Sequence, residues 1–371
     1  MNFVFTPEQE ELRSSLRRFF ASRSPTSEVR RLADTADGYD PLVWKQMAEQ
    51  LGLQGLAIPE EYGGFGYSIV ELEIVFEEMG RALVCAPYFS SVGLASQVLL
   101  ALGDDTDKER WLPSIADGSL IATVAVTDED AAWGLDRVST TATEAGGTWT
   151  IDGSKMFVVD GHIAGLLLVV ARTSEGLGVF ADEGSQAGLT RTSLSVLDFT
   201  RKLARVDFDS VAARRIGPDS DASSAISGAL DVALAALAAE QVGGAARCLE
   251  MAVDYAKTRV QFGRAIGSFQ AIKHKCADML LQVESAKSAA YYAAWSAAGG
   301  ASELPVAAAL AKAYCSDAYF HVAAENIQIH GGIGYTWEHD AHLYFRRAKS
   351  SQLLFGDPRY HRSRLADLVG I

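Results

Sequence analysis

The first 119 residues have apolar positions spaced as in helices. Thr6 is followed by Pro7 and by acidic residues, the pattern of a helix N-terminus. The segment ELEIVFEEMGRAL has apolar residues three and four positions apart: Leu72, Val75, Phe76 and Met79. This spacing predicts a helix with one buried face. Between such helices, LGLQGLAIPEEYGGFG contains Pro and several Gly residues, so we expect a loop there.

Between residues 120 and 217 the pattern changes to short apolar runs separated by Gly, Asp and Ser. The runs are LIATVAVT, TWTIDGSKMFVVDG, GLLLVVAR and KLARVDFDSV, and they predict strands and turns. In the second run, residues 148–152 and 155–159 flank Gly153-Ser154, which predicts a tight hairpin at that dipeptide. From residue 218 the chain again has a helical pattern, rich in Ala, with breaks at AAGGASELP and HGGIGY.

The order of helices, strands and helices predicts an α+β fold with three domains. We place an N-terminal helical domain at residues 1–119, a middle β domain at 120–217 and a C-terminal helical domain at 218–371. The total of 371 residues fits two to three domains of about 150 residues. It is sufficient for a sizeable core.

Charge and cysteine content limit the classes of function. The chain has 33 Lys and Arg against 47 Asp and Glu, a net charge of −14, which argues against a general nucleic-acid binder. It contains four cysteines without a CxxC pair: Cys85, Cys248, Cys276 and Cys315. This arrangement indicates neither a zinc site nor a disulfide framework, so we expect reduced core residues.

The sequence also bears on the cellular location. The longest apolar stretch, residues 229–239, contains Asp231 and is shorter than the ~20 residues of a membrane span. The N-terminus has acidic residues early and no basic start before an apolar run, unlike a signal or transit peptide. We therefore expect a cytoplasmic protein without a membrane span.

The segment TRVQFGRAIGSFQAIKHKCADM, residues 258–279, carries the most specific pattern in the chain. Arg259 and Arg264 bracket Phe262-Gly263, and Gln270 follows shortly after. Two guanidinium groups, an aromatic ring and an amide suit a pyrophosphate joined to a flat ring. A solvated corner between two helices explains the same residues, and the spacing alone favours that interpretation.

A second Gly-rich segment, ENIQIHGGIGYTWEHD, follows a predicted helix rather than a strand. It is therefore not a dinucleotide-binding fingerprint or a P-loop. It fits a loop that a ligand approaches closely, or a helix C-terminus with a turn. His339 and His342 have a spacing that fits a metal on one helix face, but no third ligand recurs at matching spacing, so we expect solvated helix residues.

Five segments occur together in a distinctive order: PEEYGGFG, VAVTDED, DGSKMFVVDG, RVQFGRAIGSFQAIKHKCADM and IQIHGGIGYT. With this order and spacing, residues 5–368 resemble the acyl-CoA dehydrogenase family, flavoenzymes that oxidise the Cα–Cβ bond of acyl-CoA thioesters. The resemblance implies an N-terminal helical domain, a middle β-barrel-like domain and a C-terminal four-helix bundle. The order of elements read from the residues agrees with that fold.

The resemblance also implies a set of site residues and partners. Matching positions place three residues beside the isoalloxazine ring of FAD: Thr127, Phe157 and Val159. Three further residues would meet its pyrophosphate and adenine: Arg259, Phe262 and Gln270. The FAD of a neighbouring subunit would be approached by Gln328, Gly331 and Gly332. The likeness thus implies a homodimer or homotetramer, an acyl-CoA substrate and an electron-accepting flavoprotein.

The reaction requires a base that removes a Cα proton, and the usual positions for it are not acidic here. One branch of the family has a Glu in a C-terminal turn, where LLFGDPRYHR has Phe355. Another branch has a carboxylate on the first long helix of the bundle, where this chain has Ala233.

Two nearby acids are candidates for the missing base. Glu240 shares the helix face of Ala233, about 10 Å further along the axis, and burial would raise its pKa towards a value suited to a base. The alternative for Glu240 is a buried carboxylate paired to an Arg. Asp357 is better explained as a turn residue.

Other departures leave two functions open. Phe157 stands where family members often have Trp, and Val159 where they often have Thr. These changes fit a divergent, actinobacterial-type dehydrogenase acting on a fatty or steroid side-chain acyl-CoA. They also fit a catalytically silent subunit that completes the FAD site of a related partner. Some actinobacterial relatives that act on steroid side-chain CoA esters form such α2β2 heterotetramers.

Overall fold

The computed structural model describes residues 5–184, 186–300 and 302–371. Its N-terminal helices are α1 (Pro7–Arg23), α2 (Thr26–Ala33), α3 (Pro41–Glu49), α4 (Ile69–Ala82), α5 (Ser96–Leu102) and α6 (Asp105–Ala116). The strands that follow are β1 (Ala122–Ala125), β2 (Thr141–Ala145), β3 (Thr148–Val159), β4 (Leu166–Thr173), β5 (Gly176–Asp182), β6 (Leu189–Ser193) and β7 (Leu203–Ile216). The C-terminal elements are α7 (Ser223–Thr258), β8 (Val260–Gln261), β9 (Arg264–Ala265), α8 (Gln270–Ala298), α9 (Leu304–His330), α10 (Ala341–Leu353) and α11 (Pro358–Val369).

The expected order of helices, a sheet and helices is therefore confirmed. By proximity, the chain divides into two compact units: one combines residues up to Arg30, Ile69–Val84 and Leu234–Ile371, and the other combines Arg31–Ser68 and Cys85–Ala233. The first unit combines parts of the predicted N-terminal and C-terminal domains, and the second combines parts of both with the predicted middle domain. The domain boundaries at residues 119 and 217 stay predictions.

The second unit contains a sheet that closes on itself. Strands β4, β2, β3, β7 and β5 are neighbours in that order, and β5 also pairs with β4. β1 adds to β4 in parallel, and β6 pairs with β7. Apolar side chains fill the interior, among them Ile151, Val169, Phe180, Val206 and Val211. The expected β-barrel-like middle domain is confirmed.

The hairpin expected at Gly153-Ser154 is wrong. β3 runs without a turn through this dipeptide, and Gly153 lies at a shift of register against β7. Its φ of +140° suits Gly, and an added Cβ would lie 2.8 Å from the Thr140 hydroxyl. The turn lies instead at Gly146-Gly147, between the paired residues Ala145 and Thr148. Both glycines have positive φ, as a two-residue turn that matches strand twist requires.

The first unit is helical, and its N-terminus forms as expected. The Thr6 side chain caps α1, and Gln9 completes a capping box. The expected apolar face of α4 is buried, but so are the carboxylates of Glu73, Glu77 and Glu78. Arg13 of α1 pairs with Glu77 at 2.7 Å and with Glu78 at 3.6 Å, and Arg17 pairs with Glu78. Ionic contacts thus add to the apolar packing of α1 on α4.

Small residues let the helices of this unit approach closely. A Cβ added at Gly80 of α4 would overlap the Glu240 carbonyl oxygen of α7, and one added at Gly243 would overlap the Glu77 carbonyl oxygen. Ala side chains of α7, α8 and α9 form the adjoining core, among them Ala238, Ala286 and Ala311. Close backbone packing therefore fixes α7 against α4.

Among the described residues, α7 alone is long and apolar enough to cross a membrane. Its most apolar window is 78% buried within the protein, as expected of a core helix. The cysteines are free, and Cys85, Cys248 and Cys315 are buried as expected, whereas Cys276 is half-buried.

Candidate functional site

In the second unit, the structure brings together two of the three residues expected beside a flavin ring. Thr127 follows β1, and its carbonyl oxygen accepts a hydrogen bond from the Met156 N–H at 2.8 Å. The register of β3 shifts between Lys155 and Val158, and Phe157 there has a φ of +56° and is 39% exposed. A positive φ is uncommon for a bulky residue. The bulge thus exposes Phe157 directly after Met156, the residue that contacts Thr127.

Val159, the third residue expected at the ring, has a different environment. Its side chain is buried, and its carbonyl oxygen accepts a hydrogen bond from the Thr123 hydroxyl at 2.6 Å. Its side chain therefore contributes to the interior of this unit. Any effect on a ligand would act through the main chain and the neighbouring bulge.

The sequence reasoning missed a buried ion pair at the same place. Lys155 is fully buried and pairs with Asp128, which is 4% exposed. Burial lowers the pKa of Lys155 to about 8. Burial acts to raise the pKa of Asp128, but the Lys155 ammonium outweighs it and lowers that pKa to about 2. The signal in the sequence is a lysine within the apolar strand KMFVV.

In the first unit, the segment after α7 forms a small hairpin of β8 and β9 with Phe262-Gly263 at its tip. Both tip residues have positive φ, and Phe262 is 91% exposed. The Arg264 guanidinium lies over the Phe269 ring, 4.1 Å from its centre. This segment is therefore an exposed surface with an aromatic ring and two cations.

The donors of this hairpin fit the pyrophosphate of FAD. Neither Arg259 nor Arg264 forms an ion pair with any residue that the structure describes. Helix α8 begins at Gln270 without a side-chain cap on its first turn, and such an N-terminus attracts anions. A solvated corner would have the same exposure, but free guanidinium groups beside an uncapped helix are the donors that a phosphate ligand uses.

The Gly-rich segment after α9 is also open. Gly331 and Gly332 are exposed, and a Cβ added at either would meet no atom within 4 Å. Gln328 is exposed and donates a hydrogen bond to the Tyr335 hydroxyl at 3.3 Å. The segment leaves its main chain accessible to a ligand.

The turn between α10 and α11 holds Phe355 inside the protein. Phe355 and Gly356 have φ values of +57° and +96°, and Phe355 is buried. The buried Lys312 ammonium donates to the Gly356 carbonyl oxygen at 3.0 Å, and His361 Nε2 lies 2.8 Å from the Phe355 carbonyl oxygen. Burial, reinforced by the Lys312 charge, lowers the pKa of His361 to about 4.

Asp357 has the turn role expected of it. It precedes α11, and its carboxylate accepts a hydrogen bond from the Tyr360 N–H at 2.8 Å. This contact caps the helix N-terminus. The interpretation of Asp357 as a turn residue is confirmed.

Glu240, the candidate base, is buried as expected and has a cationic partner. Its carboxylate lies 3.2 Å from the Arg347 guanidinium, and the two side chains are 7% and 4% exposed. Glu240 is therefore a buried carboxylate paired to an Arg, which is the alternative to a base. The catalytic role of Glu240 stays a prediction.

The expectation of solvated helix histidines is wrong. His339 precedes α10 and His342 lies within it, and both are half-buried. The His339 ring lies 4.3 Å from the His330 ring, and His342 contacts Trp337. In the parts of the chain that the structure describes, no group of three or more His, Cys, Asp or Glu residues could hold a metal.

Comparison with known families decides the identity of this fold. Residues 6–119 match the model described as "Acyl-CoA dehydrogenase, N-terminal domain", and residues 223–369 match "Acyl-CoA dehydrogenase, C-terminal domain". The chain belongs to the acyl-CoA dehydrogenase family. The family resemblance stated from the sequence motifs is therefore confirmed, and so is the family fold.

Individual proteins are similar to this chain over nearly its whole length. Acyl-CoA dehydrogenase IpdE2 of Mycolicibacterium smegmatis is 36% identical over 96% of this chain and 97% of its own. A solved variant of the Tcur3481-Tcur3483 steroid ACAD is 30% identical, covers 98% of each chain and has a TM-score of 0.90. The ChsE4-ChsE5 complex from Mycobacterium tuberculosis is 26% identical over 100% of this chain and 99% of that chain, with a TM-score of 0.91.

Proposed function

We propose that this chain takes part in the FAD-dependent dehydrogenation of an acyl-CoA thioester at its Cα–Cβ bond. The observation that carries the proposal is the set of unpaired donors at the Phe262 hairpin, in a chain that belongs to the acyl-CoA dehydrogenase family. Arg259, Arg264 and the first turn of α8 have the chemistry of a pyrophosphate site.

We assign each of these site residues a part of FAD to contact. Arg259 and Gln270 would hold the pyrophosphate, with Phe262 at the adenine end. Thr127 and the Phe157 bulge would contact the flavin ring, which supplies the acceptor for the Cβ hydride. Gln328, Gly331 and Gly332 would approach the FAD of a neighbouring subunit, so we propose an oligomer.

Within this chain, Glu240 is the proposed base. It would accept the Cα proton while hydrogen bonds to the thioester carbonyl stabilise the developing negative charge. The Arg347 guanidinium would fix the orientation of the carboxylate. Replacing Glu240 by Gln removes the proton acceptor and keeps the size of the side chain.

The substrate and the partner are proposed from the relatives. A fatty acyl-CoA or a steroid side-chain acyl-CoA would be the substrate, because one similar structure is named a steroid ACAD. The electrons would pass to a flavoprotein acceptor, and the reaction would take place in the cytoplasm.

A specific observation favours a second candidate function, a silent subunit in a heteromeric dehydrogenase. The turn that carries a base in one branch of the family has a buried Phe355 here, and Glu240 is engaged by Arg347. Two similar structures are named as pairs, ChsE4-ChsE5 and Tcur3481-Tcur3483. Such a subunit would complete the FAD site of a partner that supplies the base.

The cofactor part of the proposal is tested by the flavin content of the purified protein, alone and co-expressed with a related subunit. We expect a yellow protein in at least one of these forms. Arg259→Met should weaken FAD binding at least tenfold, since a charge-assisted hydrogen bond contributes about 1.5–3 kcal/mol. Arg359→Met, which removes an exposed cation from α11, is the control. Equal FAD affinity in the two variants would contradict the assigned site.

A further inference from the structure

The gap between β1 and β3 in the second unit is spanned mainly by isolated contacts rather than by a regular ladder. β1 pairs with β4, and its extension meets β3 in a single bridge between Asp128 and Lys155. Immediately after this bridge, β3 bulges at Phe157 before its pairing with β7 resumes at Val158. A bulge re-aims a side chain at the expense of regular pairing. Other groups must then fix the bulge in place.

Lys155 supplies one of these groups. Its buried ammonium donates to the Val126 carbonyl oxygen at 2.8 Å and pairs with the Asp128 carboxylate. The next residue, Met156, donates its N–H to the Thr127 carbonyl oxygen at 2.8 Å. Lys155 and Met156, which directly precede the Phe157 bulge, therefore contact three successive residues in the extension of β1.

Asp128 in turn is held by the two residues that precede β2. Its carboxylate accepts hydrogen bonds from the Thr140 N–H at 2.9 Å and the Thr140 hydroxyl at 2.8 Å, as well as from the Ser139 hydroxyl at 2.9 Å. A carboxylate with this many donors has one orientation, so the ammonium of Lys155 is also fixed. The network joins the segment before β2, the extension of β1 and the bulge of β3.

An apolar side chain at position 155 and a neutral one at position 128 would fill the same space without a buried ion pair. Replacing a buried ion pair by apolar residues is often neutral for stability, so the pair is weak evidence of a stabilising role. The contacts of the Lys155–Asp128 pair are directional, so they can fix positions: they set the distance between the Thr127 main chain and the Phe157 bulge.

We infer that Lys155 is a positioning residue for FAD, which holds the Thr127 segment and the Phe157 bulge at the spacing that the flavin ring requires. This inference rests on the proposed function, in which Thr127 and Phe157 contact the ring. Lys155 itself is fully buried and acts through these two residues.

The test measures FAD binding by the full chain, in whichever form, alone or with its partner subunit, is purified with flavin. Flavin is removed, and FAD is titrated back into wild type and Lys155→Met while flavin fluorescence and the visible spectrum are recorded. We expect the dissociation constant for FAD to rise at least tenfold in Lys155→Met, with a displaced absorption maximum in the flavin that still binds.

Arg214→Met is the matched control, because Arg214 of β7 forms an ion pair of 2.8 Å with the buried Asp107 of α6 in the same unit. It should lower the melting temperature of the apoprotein without changing the dissociation constant or the spectrum of bound flavin. Should Lys155→Met fail to fold, the double variant Lys155→Met/Asp128→Asn removes both charges and is titrated in the same way.

Two results would overturn the inference, and they are distinguishable. A folded Lys155→Met or double variant with wild-type affinity and spectrum contradicts the positioning role alone. A wild-type protein that binds no FAD, with or without a partner subunit, contradicts the proposed function and the positioning role together.

Discussion

Glu240 and Arg347 form an ion pair of 3.2 Å in which both side chains are more than nine-tenths buried. The pair joins α7 to α10 inside the helical unit, and the main chain of α4 packs against Glu240 at Gly80. The carboxylate that sequence reasoning selects as a base is therefore also part of the packing of this unit. The packing role of Glu240 and its proposed catalytic role are separable by mutation.

The structural role predicts a large and asymmetric effect on stability. Arg347→Met removes the guanidinium that pairs with the buried Glu240 carboxylate and should lower the free energy of unfolding by about 3–5 kcal/mol. The double variant Glu240→Gln/Arg347→Met should lose less, because it removes both charges of the pair. Chemical denaturation measures both values, and equal losses in the single and double variants would contradict the coupling.

The catalytic role predicts an effect on rate. If Glu240 removes the Cα proton, Glu240→Gln should slow the reduction of bound flavin by acyl-CoA by about 10²–10⁴-fold, the usual contribution of a general base. Glu250→Gln is the control, since Glu250 lies on the same helix and pairs with Arg81 at 2.6 Å. Stopped-flow absorbance of the flavin measures the rate. An unchanged rate in Glu240→Gln would remove Glu240 as the base and favour the silent-subunit function.

The Phe355 turn predicts a gain of function. Lys312 and His361 hold the main chain of the turn, so Phe355→Glu should place a carboxylate there without rebuilding the backbone. In a Glu240→Gln background, Phe355→Glu should raise the rate of flavin reduction at least tenfold, whereas Phe355→Gln, of similar size, should not. Equal rates in these two variants would contradict a position for residue 355 beside the substrate.

His361 predicts a pH dependence of stability. Its pKa is lowered from 6.5 to about 4 in the folded protein, so between these values the unfolded chain binds more protons. Neutral His361 therefore contributes to the free energy of unfolding above pH 6.5, and this contribution is lost as the pH falls towards 4. The free energy lost is about 3 kcal/mol.

Denaturation of wild type and His361→Gln across this pH range measures the effect. The free energy by which wild type is more stable than His361→Gln should shrink as the pH falls. His274→Gln, at an exposed position, is the control. Parallel pH profiles for wild type and His361→Gln would contradict the buried, neutral state of His361.

The parts of the fold that depend on a local pattern could be predicted from the sequence. The Thr6 cap and the three-and-four spacing on α4 depend on neighbouring residues, and both are found as expected. The hairpin at Gly153-Ser154 was wrong because a Gly at a bulge and a Gly at a turn give the same local signal. Only the pairing of β3 with β7 distinguishes them.

The candidate site was predictable in part for the same reason. The Phe262 segment was found because its residues form one contiguous motif. The contacts of Lys155 and Lys312 were not found, because they join residues far apart in the sequence. Lys155 meets Asp128 across 27 positions, and Lys312 meets Gly356 across 44. Contacts over such separations depend on how strands and helices pack, and no spacing within one segment indicates them.

The most direct test of the proposed function is the anaerobic addition of short, long, branched and steroid side-chain acyl-CoAs to the flavin-containing protein, followed at the visible flavin bands. The proposal predicts a yellow protein that is bleached by at least one of these classes, and the class that bleaches it names the substrate. A protein that contains no flavin, or whose flavin no acyl-CoA reduces even with its co-expressed partner subunit, would contradict it.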